Sequence, residues 1–202
     1  YTYDDPARLQ ATPTAATQHD TSYNTSFTAR GNLTAVSRWD VTDIVNPAKA
    51  LTAYTNYYTT GTTKSMTDPV GHQSSITYDD SFSDNVNRNT FAYPTTLTDP
   101  DGFSSTMKYN FNFGGQTRTQ GPPPAGQSQG AIQTVTYDSL GRVERTTTEN
   151  NGAYTRYVYG LNYVQSFSTV NNIADEAYAI EVFDGVGRVI ASAGNHPGSS
   201  GG

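Results

Sequence analysis

Three histidines, His19, His72 and His196, are widely separated in the chain, and no two stand at ligand spacing. A zinc or other transition-metal site would need folding to assemble it, so solvated loop histidines are the expectation. A nucleophilic serine needs a Gly-x-Ser-x-Gly elbow or a partnered base, and neither is expected here. Asp99 and Asp101 flank Pro100 and have the offset of a carboxylate pair or of two calcium ligands. A calcium loop, however, draws on many oxygens at regular spacing. Inside a turn, the same aspartates serve as caps. Arg142 and Arg188 recur at one motif position. That recurrence points to a shared structural task, either pairing with a carboxylate or stacking on an aromatic of the adjacent repeat; a substrate clamp is the other reading. The chain has 15 Tyr and 8 Phe. Exposed in a row, such rings would stack on sugars, whereas at strand ends they would anchor a core. Asn24-Thr25-Ser26 and Asn32-Leu33-Thr34 fit the glycosylation acceptor pattern.

The elements that must position these residues show themselves as a repeat. One pattern is an aromatic, usually an Asp, two variable residues, a small residue and often Arg. Tyr137-Asp138-Ser139-Leu140-Gly141-Arg142 is the clearest copy, with Phe183-Asp184-Gly185-Val186-Gly187-Arg188 close to it. Tyr3-Asp4-Asp5-Pro6-Ala7-Arg8 is a near-copy, and Tyr57-Tyr58-Thr59-Thr60-Gly61 keeps the aromatic and the Gly. The second pattern is Thr, an acid, two residues and Gly, with an aromatic seven positions on. Thr67-Asp68-Pro69-Val70-Gly71 leads to Tyr78, Thr98-Asp99-Pro100-Asp101-Gly102 to Tyr109, and Thr148-Glu149-Asn150-Asn151-Gly152 to Tyr159.

Both patterns are reverse-turn chemistry. Asp at the first turn position accepts a backbone N–H, Pro presets the second, and Gly takes the left-handed conformation that closes a three-residue hairpin with a bulge. Gly61, Gly71, Gly102, Gly141, Gly152 and Gly187 are therefore expected in turns. Between them lie alternating β-branched and aromatic segments, 133–137, 143–147 and 154–159, with Tyr157 and Tyr159 on one face and Arg156 and Val158 on the other. The expected architecture is an all-β antiparallel meander of hairpins over 1–193, anchored by Tyr3, Tyr57, Tyr78, Tyr109, Tyr137, Tyr159 and Phe183. Tyr23 and Trp39 are weaker anchors. Gly121-Pro122-Pro123-Pro124-Ala125-Gly126 is expected as an extended loop, since successive prolines cannot donate to a ladder. A single helical turn is expected at 173–179, and a flexible Gly/Ser-rich tail over 194–202.

Composition narrows the function classes. Hydrophobic residues are 34% and charged residues 15% of the chain. Both values are low for a globular domain and fit turn-rich sheet. The formal net charge is −6, with 12 Lys and Arg scattered singly, which leaves no basic stripe for nucleic acid. No apolar run has the length of a bilayer span, and Tyr1 opens the chain without a charged leader, so any address is expected upstream. Cysteine is absent, which removes disulfide and thiolate chemistry and is compatible with an oxidising exterior.

The Tyr-Asp-x-x-Gly-Arg copies, together with the interleaved Thr-acid-x-x-Gly units, resemble the RHS/YD-repeat family from Tyr3 to about Ile190. The resemblance implies hairpins winding into a long curved sheet that forms part of a larger shell, barrel or fibre. It also implies extracellular or cell-surface deployment in large polypeptides whose shells enclose a toxic segment, or, in animal relatives, mediate adhesion. No catalytic residue and no cofactor is implied. The expected partners are neighbouring repeats of a longer polypeptide, identical copies joined head to tail, an enclosed segment, or a glycan.

Overall fold

The computed structural model describes residues 1–39, 42–43, 46–171 and 175–195. The chain divides into two compact units, Tyr1–Met107 and Lys108–Gly202. Strands dominate both, and among the described residues the helical elements are short 3-10 turns at Pro6–Arg8 and Pro47–Lys49. The fold is all-β.

In the first unit the strands are β1 (Thr2–Tyr3), β2 (Leu9–Gln10), β3 (Leu33–Arg38), β4 (Leu51–Tyr58), β5 (Thr63–Thr67), β6 (Gln73–Thr77) and β7 (Thr96–Thr98). β8 (Ser104–Tyr109) runs through the division. Their order is β1-β3-β4-β5-β6-β7-β8, antiparallel throughout. β2 alone departs from it, pairing parallel to β4 with Leu9 opposite Tyr57. A ladder of small polar residues crosses this sheet, and Asn56 and Ser65 are buried in it with an Asn56 Nδ2 to Ser65 Oγ bond of 2.8 Å. Such residues supply little apolar area. The core forms where Tyr58 and Tyr78 meet edge to face at 6.3 Å and pack with Phe91, with Ala16 and Ile76 beside them.

Ala16 and Phe91 come from two long loops, 11–32 and 78–95, rather than from strands. The loops are tied together by Thr17, whose N–H donates to Asn89 O at 2.8 Å and whose hydroxyl donates to Arg88 O. Asp80 shapes the second loop by accepting the N–H groups of Arg88 and Thr90 and the Thr90 hydroxyl. Arg30 shapes the first by donating to the carbonyls of Tyr23, Asn24, Phe27 and Thr59.

The second unit is a meander in sequence order: β9 (Gln116–Gln120), β10 (Ile132–Tyr137), β11 (Val143–Thr148), β12 (Ala153–Tyr159), β13 (Tyr163–Thr169), β14 (Glu176–Phe183) and β15 (Val189–Gly194). Every pair is antiparallel. β10, β11 and β12 coincide with the alternating segments expected there, and the Tyr157 and Tyr159 rings stack on one face at 6.4 Å. The proline-rich stretch is an exposed loop, closed by Gly121 N–H to Ala131 O at 2.9 Å.

Several expectations change. The turn of helix expected at 173–179 is strand from Glu176 onward, because pairing along the whole of β13 overrides local preference; 173 and 174 lie outside the described residues. Gly194 belongs to β15, opposite Ala179, so the flexible tail does not begin there; 196–202 lie outside the described residues. Tyr23 and Trp39 are exposed and anchor no strand.

Candidate functional site

Five turns share one geometry, and four of them are built around an aspartate. Asp68, Asp99, Asp138 and Asp184 each close a hairpin, their N–H donating to the carbonyl four residues on and their own carbonyl accepting from the Gly three residues on. Gly71, Gly102, Gly141 and Gly187 all have positive φ there, between 76° and 96°. The carboxylate then does twice what the sequence suggested. One oxygen accepts two backbone N–H groups: Val70 and His72 on Asp68, Asp101 and Phe103 on Asp99, Leu140 and Arg142 on Asp138, Val186 and Arg188 on Asp184. In these four copies the two sequence patterns are thus one turn. In the fifth, Tyr58 stands where Asp would, and Gly61 keeps a φ of 85°.

The residue four after the Asp decides the use of the second oxygen. Arg142 Nε donates to Asp138 Oδ2 at 2.7 Å and Arg188 Nε to Asp184 Oδ2 at 2.7 Å, while His72 Nδ1 lies 3.0 Å from Asp68 Oδ2. For Asp138, partial desolvation works to raise the pKa, but the Arg142 side chain and the Arg142 and Leu140 N–H groups outweigh it and hold the carboxyl below its ordinary value. Asp184 is lowered too, first by the Arg188 N–H and then by the Arg188 side chain. Asp99 and Asp101, considered as a carboxylate pair, are parts of one such cap, since Asp99 Oδ1 accepts the Asp101 N–H at 3.0 Å.

Four tyrosines add a second device. Tyr57 OH donates to Leu33 O at 3.1 Å, Tyr78 OH to Thr63 O at 3.0 Å, Tyr137 OH to Gln116 O at 2.7 Å and Tyr159 OH to Val143 O at 2.7 Å. In every case the acceptor is the first residue of the preceding strand: β3, β5, β9 or β11. The ring therefore reaches back over the start of its neighbour and latches one strand to the next. Around Tyr159 the latch is fuller, because the Arg142 guanidinium lies 4.2 Å from its ring centroid while still bonded to Asp138. The two tasks left open for Arg142, carboxylate pairing and stacking on the next repeat's aromatic, are both performed. Phe183 ends β14 without a hydroxyl and cannot make this bond.

Burial of the anchors differs along the chain. Tyr78 and Tyr109 are each 8% exposed, whereas Tyr137, Tyr159 and Phe183 are half-buried. Partial burial raises the Tyr137 and Tyr159 phenol pKa values. The Tyr3 near-copy is not a hairpin. Asp4 has φ 57° and its carboxylate accepts the N–H groups of Arg30, Gly31 and Asn32, while Asp5 caps the 3-10 turn that carries Arg8. Pro6 after a second Asp moves the cap by one residue. Arg8 nevertheless stacks on an aromatic, 4.1 Å from the Tyr54 centroid. In the Thr148–Gly152 copy the side-chain acceptor is Asn151, which takes the Ala153 N–H, and not Glu149; Gly152 (φ 74°) donates to Thr148 O.

A polar cluster that the sequence reading missed lies on the face opposite Tyr157 and Tyr159. Arg156 makes two bonds to Glu176, at 2.9 and 2.8 Å, and the Tyr154 hydroxyl donates to the same carboxylate at 2.5 Å. Arg156 also lies over Phe167 and Arg145 over Tyr154. Arg156 and then Tyr154 pull the Glu176 pKa down to about 2. Its signal was the alternation of Arg and Tyr in β12, but the partner on β14 follows only from the register.

Groups suited to catalysis do not converge. His19 Nε2 lies 3.0 Å from Thr59 O, His72 is held by Asp68, and His196 lies outside the described residues. Among the described residues no group of three His, Cys, Asp or Glu could hold a metal ion. Gly126-Gln127-Ser128-Gln129-Gly130 does have the nucleophile-elbow spacing, against expectation, as does 198–202, which lies outside the described residues. Ser128 is exposed in the proline-rich loop, without the strand-to-helix turn that gives the motif its chemistry. Of the two glycosylation patterns, Asn24 is exposed, and Thr34 of the other is buried with its hydroxyl on Thr2 O.

No family model matches the chain, and no curated protein does. Among solved structures it is similar to a chain in the crystal structure of TcdB2-TccC3-Cdc42, with a TM-score of 0.45 and 10% identity, over 84% of this chain and 11% of that one. The chain thus spans about a ninth of that protein's length. No helix among the described residues is long and apolar enough to cross a membrane.

Proposed function

We propose that the chain is a non-enzymatic structural segment of an RHS-like protein, a stretch of β-wall that encloses, spaces or displays another element outside the cell. The observation that carries this reading is the recurrent Asp–Gly turn with a tyrosine latch to the strand before it. One local device, used again and again, spends the conspicuous side chains on joining strand to strand. Arg142 and Arg156, which would otherwise suit an anionic ligand, are each bonded to a carboxylate and laid on a ring. Enclosure of a toxic segment is the finer form of the proposal and draws on the family resemblance in the turn motifs. The rival reading is an adhesive module, with the Thr- and Ser-lined groove of about 230 Å³ across β11, β12 and β13 as its glycan seat. A glycan array and a panel of hydrolysis assays on the purified chain separate the readings. Silence in both is expected, and saturable binding of a defined glycan, lost on Tyr154→Ala, would overturn the structural reading.

A further inference from the structure

Asn24, Asn46, Asn87, Asn110 and Asn151 share one local geometry, in which the side-chain oxygen accepts the backbone N–H two residues on. Such a turn folds the carboxamide back over the peptide unit between, whose nitrogen is the nucleophile of succinimide formation. The residue that supplies this nitrogen differs. Thr25, Arg88 and Phe111 carry a side chain beside it and Pro47 has no N–H, whereas Asn151 is followed by Gly152 in the chain's single Asn-Gly pair. Glycine leaves the approach unhindered. Asn151 is exposed at the β11–β12 turn, and Gly152 holds a φ of 74° there. The Ala153 N–H, 3.0 Å from Asn151 Oδ1, is placed to hold the negative charge that builds on that oxygen as its carbon is attacked. Against this, the Gly152 N–H donates to Thr148 O at 2.9 Å, a turn bond that the attack gives up.

We infer that Asn151 is a self-modification site, where the folded turn converts its own asparagine to aspartate and isoaspartate with water as the co-reactant. Gly152 N attacks Asn151 Cγ; the N–Cγ bond forms, the Cγ–Nδ2 bond breaks, and Nδ2 leaves as ammonia with the proton that Gly152 gives up. Water then opens the succinimide ring. Attack of water at Cγ gives aspartate, and attack at the main-chain carbonyl carbon gives isoaspartate, whose backbone runs through Cβ and Cγ. The added methylene falls beside a clamp. Asn150 Oδ1 accepts the Ile132 N–H at 2.7 Å, Asn150 Nδ2 donates to Gly130 O at 3.2 Å, and the Glu149 N–H donates to Ile132 O at 2.9 Å. The turn therefore holds the end of the proline-rich loop and the start of β10, where Ile132 is buried. Isoaspartate at 151 lengthens the backbone one residue from that clamp and loosens it, so the wall carries a slow, irreversible release of its loop. The chemistry is local to the turn and holds whether or not the segment encloses anything.

Ageing the purified full chain in mildly alkaline buffer, with peptide mass mapping, follows the amide-to-acid change at each asparagine, and enzymatic methylation of isoaspartate separates the two products. Residue 151 is expected to convert several-fold faster than 24, 87 and 110, and at least as fast in the folded chain as in urea. Ala153→Pro removes the N–H that faces Oδ1 and should slow the folded reaction several-fold while leaving the rate in urea unchanged. Amide exchange across 130–132 should rise in the isoaspartate fraction and stay at the parental level in Asn151→Asp, which has the charge without the extra methylene. Conversion at 151 no faster than at 110, or several-fold slower in the folded chain than in urea, overturns the inference. So does a folded Ala153→Pro chain that reacts at the parental rate. An isoaspartate fraction with parental exchange across 130–132 would overturn the release of the loop.

Discussion

The two units solve the same problem in different ways. In residues 1–107 a sheet with small polar residues on its ladder is covered by the loops 11–32 and 78–95, which bring further aromatic residues onto Tyr58 of β4. Phe82 and Phe91, both in the second loop, are each 3% exposed. In 108–202 the strands are as long or longer, yet few side chains are buried; Tyr109 and Ile132 are the large ones among the described residues. Stability there has to come sideways, from hydroxyl latches, arginine–carboxylate pairs and rings shared between adjacent strands. A repeat that buries each unit mainly against its neighbours behaves in this manner. The comparison teaches that one turn device serves both regimes, and that in the first unit the covering loops complete a core begun by Tyr58 of β4 and Ile76 of β6.

The largest expected effect tests that division directly. Phe91→Ala should destabilise the first unit by about 3–5 kcal/mol, the range for a large buried aromatic. Denaturant unfolding followed by amide exchange should show the loss confined to 1–107; an equal loss of protection across 132–169 would break the comparison. Next comes Arg30→Gln, which removes charged donors from four carbonyls and should cost about 2 kcal/mol. Limited proteolysis should then open 20–30 before any strand, and a cleavage pattern unchanged from the parent would refute the role given to Arg30.

In the second unit, Tyr159→Phe deletes one hydroxyl bond and leaves the ring on Arg142, so a loss of about 1 kcal/mol is expected from urea unfolding. Tyr157→Phe is the control, because no described hydrogen bond uses its hydroxyl. Should both substitutions behave alike, the latch has no energetic content. The smallest effect is pH-dependent. Glu176 has its pKa depressed to about 2 from an ordinary 4.5, so its contribution is complete above the unfolded value and is lost as pH falls from about 4.5 towards 2. Asp138 and Asp184 are shifted in the same direction and add to the acid loss in the same unit. Glu176→Gln should flatten part of that acid limb in 108–202 and leave 1–107 unaltered. A titration curve identical to the parent's would show that the Arg156–Glu176 pair carries no stability.

The sequence by itself determined the turns and the strand type. An Asp that caps its own backbone, a Pro with fixed φ and a Gly at positive φ act within five residues, so Asp68–His72, Asp99–Phe103, Asp138–Arg142 and Asp184–Arg188 were legible without any knowledge of their neighbours. The alternation in 132–159 was legible for the same reason, since side chains of a strand change face at every residue. What spans the chain was not. That Tyr159 reaches Val143, that Glu176 closes on Arg156, that Phe91 descends on Tyr58 and Tyr78, and that Thr14 ties to Asn89 at a separation of 75 depend on register and on loops returning across the chain. Tyr3-Asp4 shows the limit most plainly: it has the letters of a hairpin turn, but tertiary bonds from Asp4 to Arg30, Gly31 and Asn32 outweigh the local cap and send the chain elsewhere.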